Sequence, residues 1–296
     1  MHWPMNESAI RNLIRSASAG LATVTEAPQL EAELLLAHCL NKPRSYLYTW
    51  PERVPDTNQC QRFQQQVQAR QQGWPVAYLL GEREFMGLRL QVTPATLIPR
   101  PETELLVEQA LLHLPVQAPA RVLELGTGSG AIALAMAHVR PDLQITATDI
   151  SGDALNMAQH NARQLGISTV NFLASDWFSA LPAGMPFALI VANPPYIAAA
   201  DPHLEQGDLR FEPQMALVSG ADGLDAIRTI VQQAGRYLTP GGWLLFEHGF
   251  DQGPACCKLL QQAGYQAVDC LRDMAGLDRI SLGQHFPLRQ ALQSAG

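Results

Sequence analysis

Residues 1–80 carry apolar side chains at the spacing of amphipathic helices. Ile10, Leu13 and Ile14 recur at the intervals that place side chains on one face of a helix. Asp56 is a plausible N-cap for a further helix of polar composition. This stretch therefore predicts a small helical domain.

Between residues 81 and 98 the helical spacing gives way to alternation. Leu88, Leu90 and Val92 alternate with polar residues behind a Met86-Gly87 turn, which predicts a short β-hairpin. Prolines follow the hairpin closely and stiffen the chain. We therefore predict that this segment is a β-hairpin linker.

From residue 99 to residue 296, predicted strands alternate with predicted helices. The predicted strands are 121–125, 144–148, 169–173, 187–191 and 243–247, with two short closing strands at 267–270 and 279–282. The predicted helices are 102–113, 131–138, 152–165, 222–238 and 252–263, and a Pro-Gly-Gly turn is predicted at 240–242. Such alternation with short loops indicates a parallel sheet with helices on both faces. The closing strands are too near each other in sequence for a crossover helix, so they must pair antiparallel.

Composition and charge narrow the class of protein. Of the 296 residues, 47% are hydrophobic and 16% are charged, which is enough apolar material for a substantial core. The formal net charge is −7, with nine basic and eight acidic residues in 1–98 and eleven and nineteen in 99–296. This balance argues against a protein whose main task is to bind nucleic-acid backbones.

The sequence gives no sign of export or membrane insertion. Its first residues lack the basic and apolar regions of a signal peptide, and no stretch approaches the ~18 apolar residues of a spanning helix. The five cysteines include no C-x-x-C pair, which indicates reduced thiols. We therefore expect a cytoplasmic protein that does not associate with a membrane.

A glycine loop follows the first strand of the alternating region. Its residues are Gly126, Thr127, Gly128, Ser129 and Gly130. Glycines there admit a close ligand beside the free amides of a helix N-terminus. Asp149 ends the next strand, where its carboxylate can accept hydrogen bonds from a ribose diol. Dinucleotide sites prefer G-x-G-x-x-G, and the acidic Glu124 before the loop suits a cation, so the pattern favours S-adenosylmethionine. A tight turn with a capping aspartate is the structural alternative.

Two further residues follow the third strand of this region. Asp176 can accept a hydrogen bond from an adenine amino group, and Trp177 offers a flat apolar wall. Packing in the core is the alternative for the tryptophan, but its position at the carboxyl end of a strand favours a cofactor contact.

The motif Asn193-Pro194-Pro195-Tyr196 follows the fourth strand. Its prolines remove two backbone donors and restrict the residues before them. The Asn193 side-chain oxygen and the Pro194 carbonyl remain as acceptors, and Tyr196 supplies a π-face. This set suits an amide or exocyclic amine whose nitrogen points at a methyl donor. A loop stiffened for packing alone is the alternative, and the sequence offers no cluster of ligands that would indicate a metal.

Further motifs extend over nearly the whole chain. They are PVAYLLG at 75–81, FMGL at 85–88, IPRPETE at 98–104, FEP at 211–213 and AL at 216–217. With these motifs the chain resembles the protein-(glutamine N5) methyltransferases of the HemK/PrmC type, which methylate peptide chain release factors. Asn-Pro-Pro-Tyr alone is shared with DNA amino-methyltransferases, whereas its combination with Pro-Arg-Pro-Glu-Thr-Glu is far more specific.

The resemblance implies an α/β fold. It implies a class I, Rossmann-like sheet of the S-adenosylmethionine-dependent methyltransferases in a catalytic domain at 99–296, with a substrate-recognition domain at 1–80. The implied reaction moves a methyl group from S-adenosyl-L-methionine to the side-chain amide nitrogen (N5) of a glutamine. The implied substrate is the Gly-Gly-Gln loop of bacterial class I release factors, and the cofactor product is S-adenosyl-L-homocysteine.

The resemblance also assigns site residues. By the family pattern, the cofactor region is contacted by Gly126, Thr127, Gly128, Ser129, Gly130, Asp149, Trp177 and Asn193. The glutamine is contacted by Asn193, Pro194, Pro195 and Tyr196, of which Asn193, Pro194 and Tyr196 are the candidate catalytic residues. We expect no metal and no direct contact with nucleic acid.

Other functions stay open at this point. Related glutamine methyltransferases act on a ribosomal protein, and the residues alone do not separate the two substrates. A DNA amino-methyltransferase should show a basic face, which the charge totals do not supply, and an NAD-binding oxidoreductase should show different glycine spacing. A non-catalytic scaffold that binds translation factors would not need Asn193–Tyr196 intact. Arg100 has no assigned role, and a structural role is favoured for His248.

Overall fold

The computed structural model describes residues 9–116, 118–182 and 184–287. The chain divides into two compact units. The first runs to Glu82 and includes His203–Phe211, and the second runs from Arg83 to Pro202 and resumes at Glu212.

The first unit is helical, as predicted. Its helices within the described residues are α1 (Ile10–Leu21), α2 (Pro28–Leu40), α3 (Arg44–Thr49), α4 (Thr57–Gln71) and α5 (Val76–Leu80). Leu13, Leu35 and Phe63 are buried in its core. Asp56 caps α4 as expected: its carboxylate accepts from the Gln59 amide at 2.8 Å, and the Gln59 side chain accepts from the Asp56 amide at 3.0 Å.

Residues 203–211 complete the first unit. The Arg70 guanidinium, only 7% exposed, donates to the Asp208 carboxylate at 3.0 Å. The rings of Trp74 and Phe211 lie 5.0 Å apart. Arg70 and Asp208 are 138 positions apart, so the local hydrophobic pattern could not predict that this segment belongs with the first helices.

The predicted hairpin is confirmed. Its strands are β1 (Glu82–Phe85) and β2 (Leu88–Gln91). The turn residues Met86 and Gly87 have φ values of 48° and 77°, the left-handed pair that a two-residue hairpin turn requires. Leu88 and Leu90 are buried in a hydrophobic core of the second unit.

A mixed sheet forms the centre of the second unit. Its strands are β3 (Arg121–Leu125), β4 (Gln144–Asp149), β5 (Val170–Ala174), β6 (Phe187–Ala192), β7 (Leu238–Glu247), β8 (Gln266–Arg272) and β9 (Asp278–His285). Its helices are α6 (Pro101–Leu112), α7 (Ala131–Val139), α8 (Gly152–Leu165), α9 (Asp225–Ala234) and α10 (Gly253–Gln262). The strand order is β5-β4-β3-β6-β7-β9-β8, and β9 pairs antiparallel with both β7 and β8. The predicted parallel sheet with antiparallel closing strands is therefore confirmed.

Both faces of the sheet are buried, because successive side chains along its strands enter different hydrophobic cores. On β3, Val122 contributes to one hydrophobic cluster and Leu123 to the other. On β6, Leu189 and Ile190 divide in the same way. Strands with two apolar faces must be covered by helices on both sides, which explains the long hydrophobic runs in the sequence.

The chain reverses its direction of travel across the sheet at β3. It moves from β3 outward through β4 to β5, then returns to place β6 on the other side of β3. The loops after β3 and β6 consequently diverge and leave a crevice at the carboxyl ends of neighbouring strands. This is where open α/β sheets bind ligands.

Two predictions about the later elements were wrong. The helix predicted at 222–238 spans only Asp225–Ala234. Gly223, with a φ of 78°, precedes its first turn, and β7 already begins at Leu238. The predicted Pro-Gly-Gly turn lies inside β7. Phe187 pairs with Leu238, and the next pairing in register joins Leu189 to Trp243, so the extra residues form an irregularity within a longer strand.

Asn161 on α8 connects strand β2 of the hairpin with the glycine loop. This side chain is 1% exposed. Its oxygen accepts from the Gln91 amide at 2.8 Å, and its nitrogen donates to the carbonyls of Gln91 at 3.0 Å and Ser129 at 2.9 Å. One carboxamide therefore satisfies three backbone groups, including one in the glycine loop.

Asn161→Ala should lower the free energy of unfolding by about 2–4 kcal/mol, because buried backbone groups lose their partners. Urea denaturation measures this change. The matched control is Asn156→Ala, an exposed asparagine on the same helix, which should leave the stability close to that of the wild type. Equal stability of the two variants would contradict the role given to Asn161.

Candidate active site

A cavity of about 270 Å³ opens at the carboxyl ends of β3, β4 and β6. Its walls include the predicted site residues Gly126, Gly128, Asp149, Trp177, Asn193 and Pro195. The side chains of Ile150 and Met215, which are 60% and 56% exposed, add apolar surface to it. Residues from four separate predicted motifs therefore meet in one place.

The glycine loop forms one wall of this cavity. Gly126 and Gly128 have φ values of 72° and 56°, which L-residues with side chains rarely adopt. A Cβ built on either glycine meets no described protein atom within 4 Å, so the backbone borders open space. At Gly130 a Cβ would lie 2.9 Å from the Leu134 side chain, so this glycine allows the loop to pack on α7.

The other two residues of the loop point into the protein. Thr127 and Ser129 are buried, at 4% and 2% exposure. The Thr127 hydroxyl donates to Glu124, and the Ser129 carbonyl accepts from Asn161. They shape the loop from behind the cavity wall.

Asp149 holds the glycine loop against the end of β4. Its carboxylate accepts from the Gly128 amide at 2.8 Å and from the Ser151 amide at 2.9 Å. The side chain is half-buried and lines the cavity. Because a carboxylate has about four lone-pair sites, it can accept further hydrogen bonds from a diol.

Glu124 braces the same loop from inside the protein. Its Oε2 accepts from the Thr127 hydroxyl at 2.7 Å and from the Ala133 amide at 3.1 Å. Burial raises the pKa of Glu124 to about 8, and its Oε1 has no hydrogen-bond partner among the described residues. Glu124 was expected to favour a cationic ligand, but its carboxyl group is buried and does not line the cavity. Two other carboxylates line the cavity, Asp149 beside the glycine loop and Asp176 after β5.

Asp176 and Trp177, which follow β5, also line the cavity. Trp177 is half-buried with a φ of 47°, and its carbonyl accepts from the Ser175 hydroxyl at 2.9 Å. Asp176 is exposed and also lines the cavity. Both residues that were predicted to contact adenine therefore line the cavity, and the adenine contact itself stays a prediction.

The Asn-Pro-Pro-Tyr motif is divided between the cavity and the core. Asn193 and Pro195 line the cavity, whereas Pro194 is buried. The Tyr196 ring packs against the core, and its hydroxyl donates to Glu247 at 3.2 Å. Tyr196 is not on the cavity wall, so stacking on its ring stays a prediction.

Thr103 and Glu247 lie behind Asn193 in the same hydrogen-bond chain, and neither was predicted as a site residue. The Asn193 side-chain nitrogen donates to the Thr103 hydroxyl at 3.1 Å, and that hydroxyl donates to Glu247 at 2.6 Å. Burial raises the pKa of Glu247, while hydrogen bonds from Thr103 and Tyr196 act in the opposite direction. Thr103 belongs to the Pro-Arg-Pro-Glu-Thr-Glu motif, so this motif was the sequence feature that could have indicated its place in the site.

The structure also accounts for Arg100 and His248. Arg100 pairs with Glu212 of the Phe-Glu-Pro motif, and the buried Glu212 carboxylate accepts from the Ile98 amide at 3.1 Å. His248 is fully buried, with its Nε2 2.9 Å from the Ser281 hydroxyl. Both residues hold backbone or core groups and neither lines the cavity.

The described part of the chain holds neither a metal-binding cluster nor a membrane-spanning helix. In residues 9–116, 118–182 and 184–287, no grouping of three or more His, Cys, Asp or Glu side chains could hold a metal ion. Over the same ranges, no helix is long and apolar enough to cross a membrane.

This fold and site define a class I, Rossmann-like methyltransferase. The defining features are a sheet covered on both faces, a G-x-G-x-G loop after β3, an aspartate that ends β4 and Asn-Pro-Pro-Tyr after β6. Family models agree, since the PrmC N-terminal domain matches residues 12–81 and the methyltransferase small domain matches residues 102–207.

Relatives narrow the class to a family. A release factor glutamine methyltransferase of Shewanella oneidensis is 50% identical over 283 residues, covering 96% of this chain and 98% of its own. One from Pseudomonas aeruginosa is 53% identical over 256 residues, covering 86% and 92%. The chain belongs to the release factor glutamine methyltransferase family, which confirms the resemblance carried by its motifs.

A solved structure supports the fold. It is the 16S rRNA N2 G1207 methyltransferase of T. thermophilus in complex with AdoMet and guanosine, with a TM-score of 0.51 and 19% identity. The match covers 69% of this chain and 49% of that one. At this identity it shows the fold alone.

Glu124→Gln should flatten the pH dependence of stability. Because the pKa of folded Glu124 is about 8 against an ordinary 4.5, the folded state keeps a proton that the unfolded chain releases between these values. The free energy of unfolding of the wild type therefore falls as pH rises through this window. Glutamine has no such proton, so the variant should lose less stability between pH 5 and pH 8.

Chemical denaturation at both pH values measures the difference. Glu108→Gln, at an exposed position, is the matched control and should keep the pH dependence of the wild type. If Glu124→Gln and the wild type lose equal stability, Glu124 does not titrate as its burial requires.

Proposed function

We propose that this chain transfers a methyl group from S-adenosylmethionine to the side-chain amide nitrogen of the glutamine in the Gly-Gly-Gln loop of bacterial class I release factors. One observation carries the proposal. A single cavity is lined by the glycine loop and Asp149 on one side and by Asn193 on another, so a methyl donor and an amide can meet there.

The residues on the cavity wall fit S-adenosylmethionine. Gly126 and Gly128 border open space, Asp149 retains acceptor sites for ribose hydroxyls, and Trp177 with Ile150 offers an apolar wall for adenine. We propose that these residues hold the cofactor. When bound, S-adenosylmethionine supplies an electrophilic methyl group, retains the electron pair of the broken carbon–sulfur bond and leaves as S-adenosylhomocysteine.

Asn193 and Pro194 would act on the acceptor amide. An amide nitrogen is a poor nucleophile, because its lone pair is delocalised into the carbonyl. The Asn193 oxygen and the Pro194 carbonyl would each accept one N–H of the glutamine and so hold its nitrogen toward the methyl group. Such positioning can supply up to ~7–11 kcal/mol in well-oriented reactions. The nitrogen gains the methyl carbon and loses one proton to water.

The helical first unit would select the protein substrate. It has its own hydrophobic core and matches the PrmC N-terminal domain, whereas the cavity is lined by residues of the second unit. This supports a division in which residues 1–80 recognise the partner, 81–98 form a linker segment and 99–296 perform the chemistry.

Mass spectrometry tests the proposed activity directly. The chain is incubated with S-adenosylmethionine and a purified bacterial class I release factor, and the modified residue is located in the Gly-Gly-Gln loop. A release factor with glutamate in place of the glutamine should stay unmodified, because a carboxylate has no proton to donate to these acceptors. Methylation of a ribosomal protein or DNA instead would overturn the proposal.

Asn193→Ala should slow methyl transfer roughly 10²–10³-fold, by analogy with removal of a positioned hydrogen bond to a transition state. Asn193→Asp keeps an acceptor oxygen and should retain more activity. Single-turnover methylation measures the rates, and calorimetry with S-adenosylhomocysteine should show a much smaller change in cofactor affinity. An alanine variant with the wild-type rate would exclude Asn193 as the orienting group.

Asp149→Ala should weaken cofactor binding more than it slows methyl transfer. Loss of a charged acceptor costs ~1.5–3 kcal/mol, so cofactor affinity should fall by roughly 10- to 100-fold. The rate of methyl transfer at saturating cofactor should fall less than it does in Asn193→Ala. Unchanged affinity for S-adenosylhomocysteine would contradict the placement of the ribose.

A further inference from the structure

The buried carboxylate of Glu247 lies between two residues of the Asn-Pro-Pro-Tyr motif. Its side chain, at the end of β7, is 1% exposed. One oxygen accepts from the Thr103 hydroxyl at 2.6 Å and the other accepts from the Tyr196 hydroxyl at 3.2 Å. Thr103 in turn contacts Asn193. The carboxylate therefore connects the beginning and the end of the motif through two hydroxyl groups.

The direction of these hydrogen bonds fixes the orientation of Asn193. A hydroxyl has one proton, and Thr103 gives its proton to the Glu247 carboxylate. Toward Asn193 the Thr103 oxygen can then only accept, so it pairs with the amide nitrogen at 3.1 Å. The Asn193 oxygen consequently lies on the side of the carboxamide away from Thr103.

This orientation decides what the site can bind. Asn193 lines the cavity, so its free end presents an acceptor to a ligand there. If the carboxamide turned over, it would present NH₂, and a substrate amide N–H would meet a donor. Asparagine alone does not choose between these orientations, because its two ends are nearly equal in shape.

We infer that Thr103 and Glu247 are positioning residues that hold the Asn193 oxygen toward the methyl acceptor and so make the site specific for an N–H donor. The inference rests on the proposed function. Thr103 acts through Asn193, whereas Glu247 acts through both Thr103 and Tyr196. Neither Thr103 nor Glu247 lies on the cavity wall.

Thr103→Val and Thr103→Ser separate the hydroxyl from the shape of the side chain. Thr103→Val should lower kcat by ~10- to 100-fold, the scale of a misplaced reacting group. KM for the release factor and affinity for S-adenosylhomocysteine should change little. Thr103→Ser keeps the hydroxyl and should recover most of the lost kcat. Thr146→Val, which removes another buried hydroxyl of the same unit outside the cavity, is the matched control and should keep the wild-type kcat.

A double-mutant cycle shows whether Thr103 acts through Asn193. Adding Thr103→Val to Asn193→Ala should lower kcat little further, because the side chain that Thr103 orients is already missing. Glu247→Gln can accept through only one atom, so it should also lower kcat while leaving KM nearly unchanged. Thermal unfolding of each variant confirms that the measured protein is folded.

Three results would overturn the inference. They are a Thr103→Val kcat equal to that of the wild type, a Thr103→Ser kcat as low as that of Thr103→Val, and independent losses in the double variant. In each case a wild type that methylates the release factor leaves the proposed function standing. A wild type that does not methylate glutamine overturns the proposed function, and this inference falls with it.

Discussion

The parallel pairing of β3 with β6 is the constraint on which the rest of the structure depends. These strands are neighbours in the sheet, although β4 and β5 come between them in the chain. Their following loops therefore leave the same edge of the sheet in different directions. The glycine loop and the first residues of the Asn-Pro-Pro-Tyr motif consequently line one cavity at the carboxyl ends of the strands, where open α/β sheets bind ligands.

Buried glutamate side chains hold the loops around this cavity in place. Glu124 supports the glycine loop, Glu212 supports the segment at Ile98, and Glu247 supports Asn193 through Thr103. Burying an acid is unfavourable unless hydrogen bonds satisfy it, and each of these three accepts such bonds. These hydrogen bonds fix the loops from inside the protein and leave Asp149 and Asn193 on the cavity wall.

Local sequence patterns predicted the parts of the site that are built from consecutive residues. The glycine loop, the aspartate that ends β4 and Asn193–Tyr196 each lie at the end of a strand with a clear apolar run, so their positions at the carboxyl ends of the strands could be foreseen. Thr103 and Glu247 could not, because they are 144 positions apart and meet only once α6 packs beside the sheet. The burial of Glu124 and the inward position of Tyr196 likewise depend on tertiary packing.

The most direct test is a crystal structure of the chain with S-adenosylhomocysteine and a glutamine-bearing release factor. We predict ribose hydroxyls on Asp149 and the glutamine nitrogen within ~3.2 Å of the Asn193 oxygen, on the side facing the cofactor sulfur. A glutamine nitrogen bound away from Asn193, or a cofactor bound outside the glycine loop, would contradict the account.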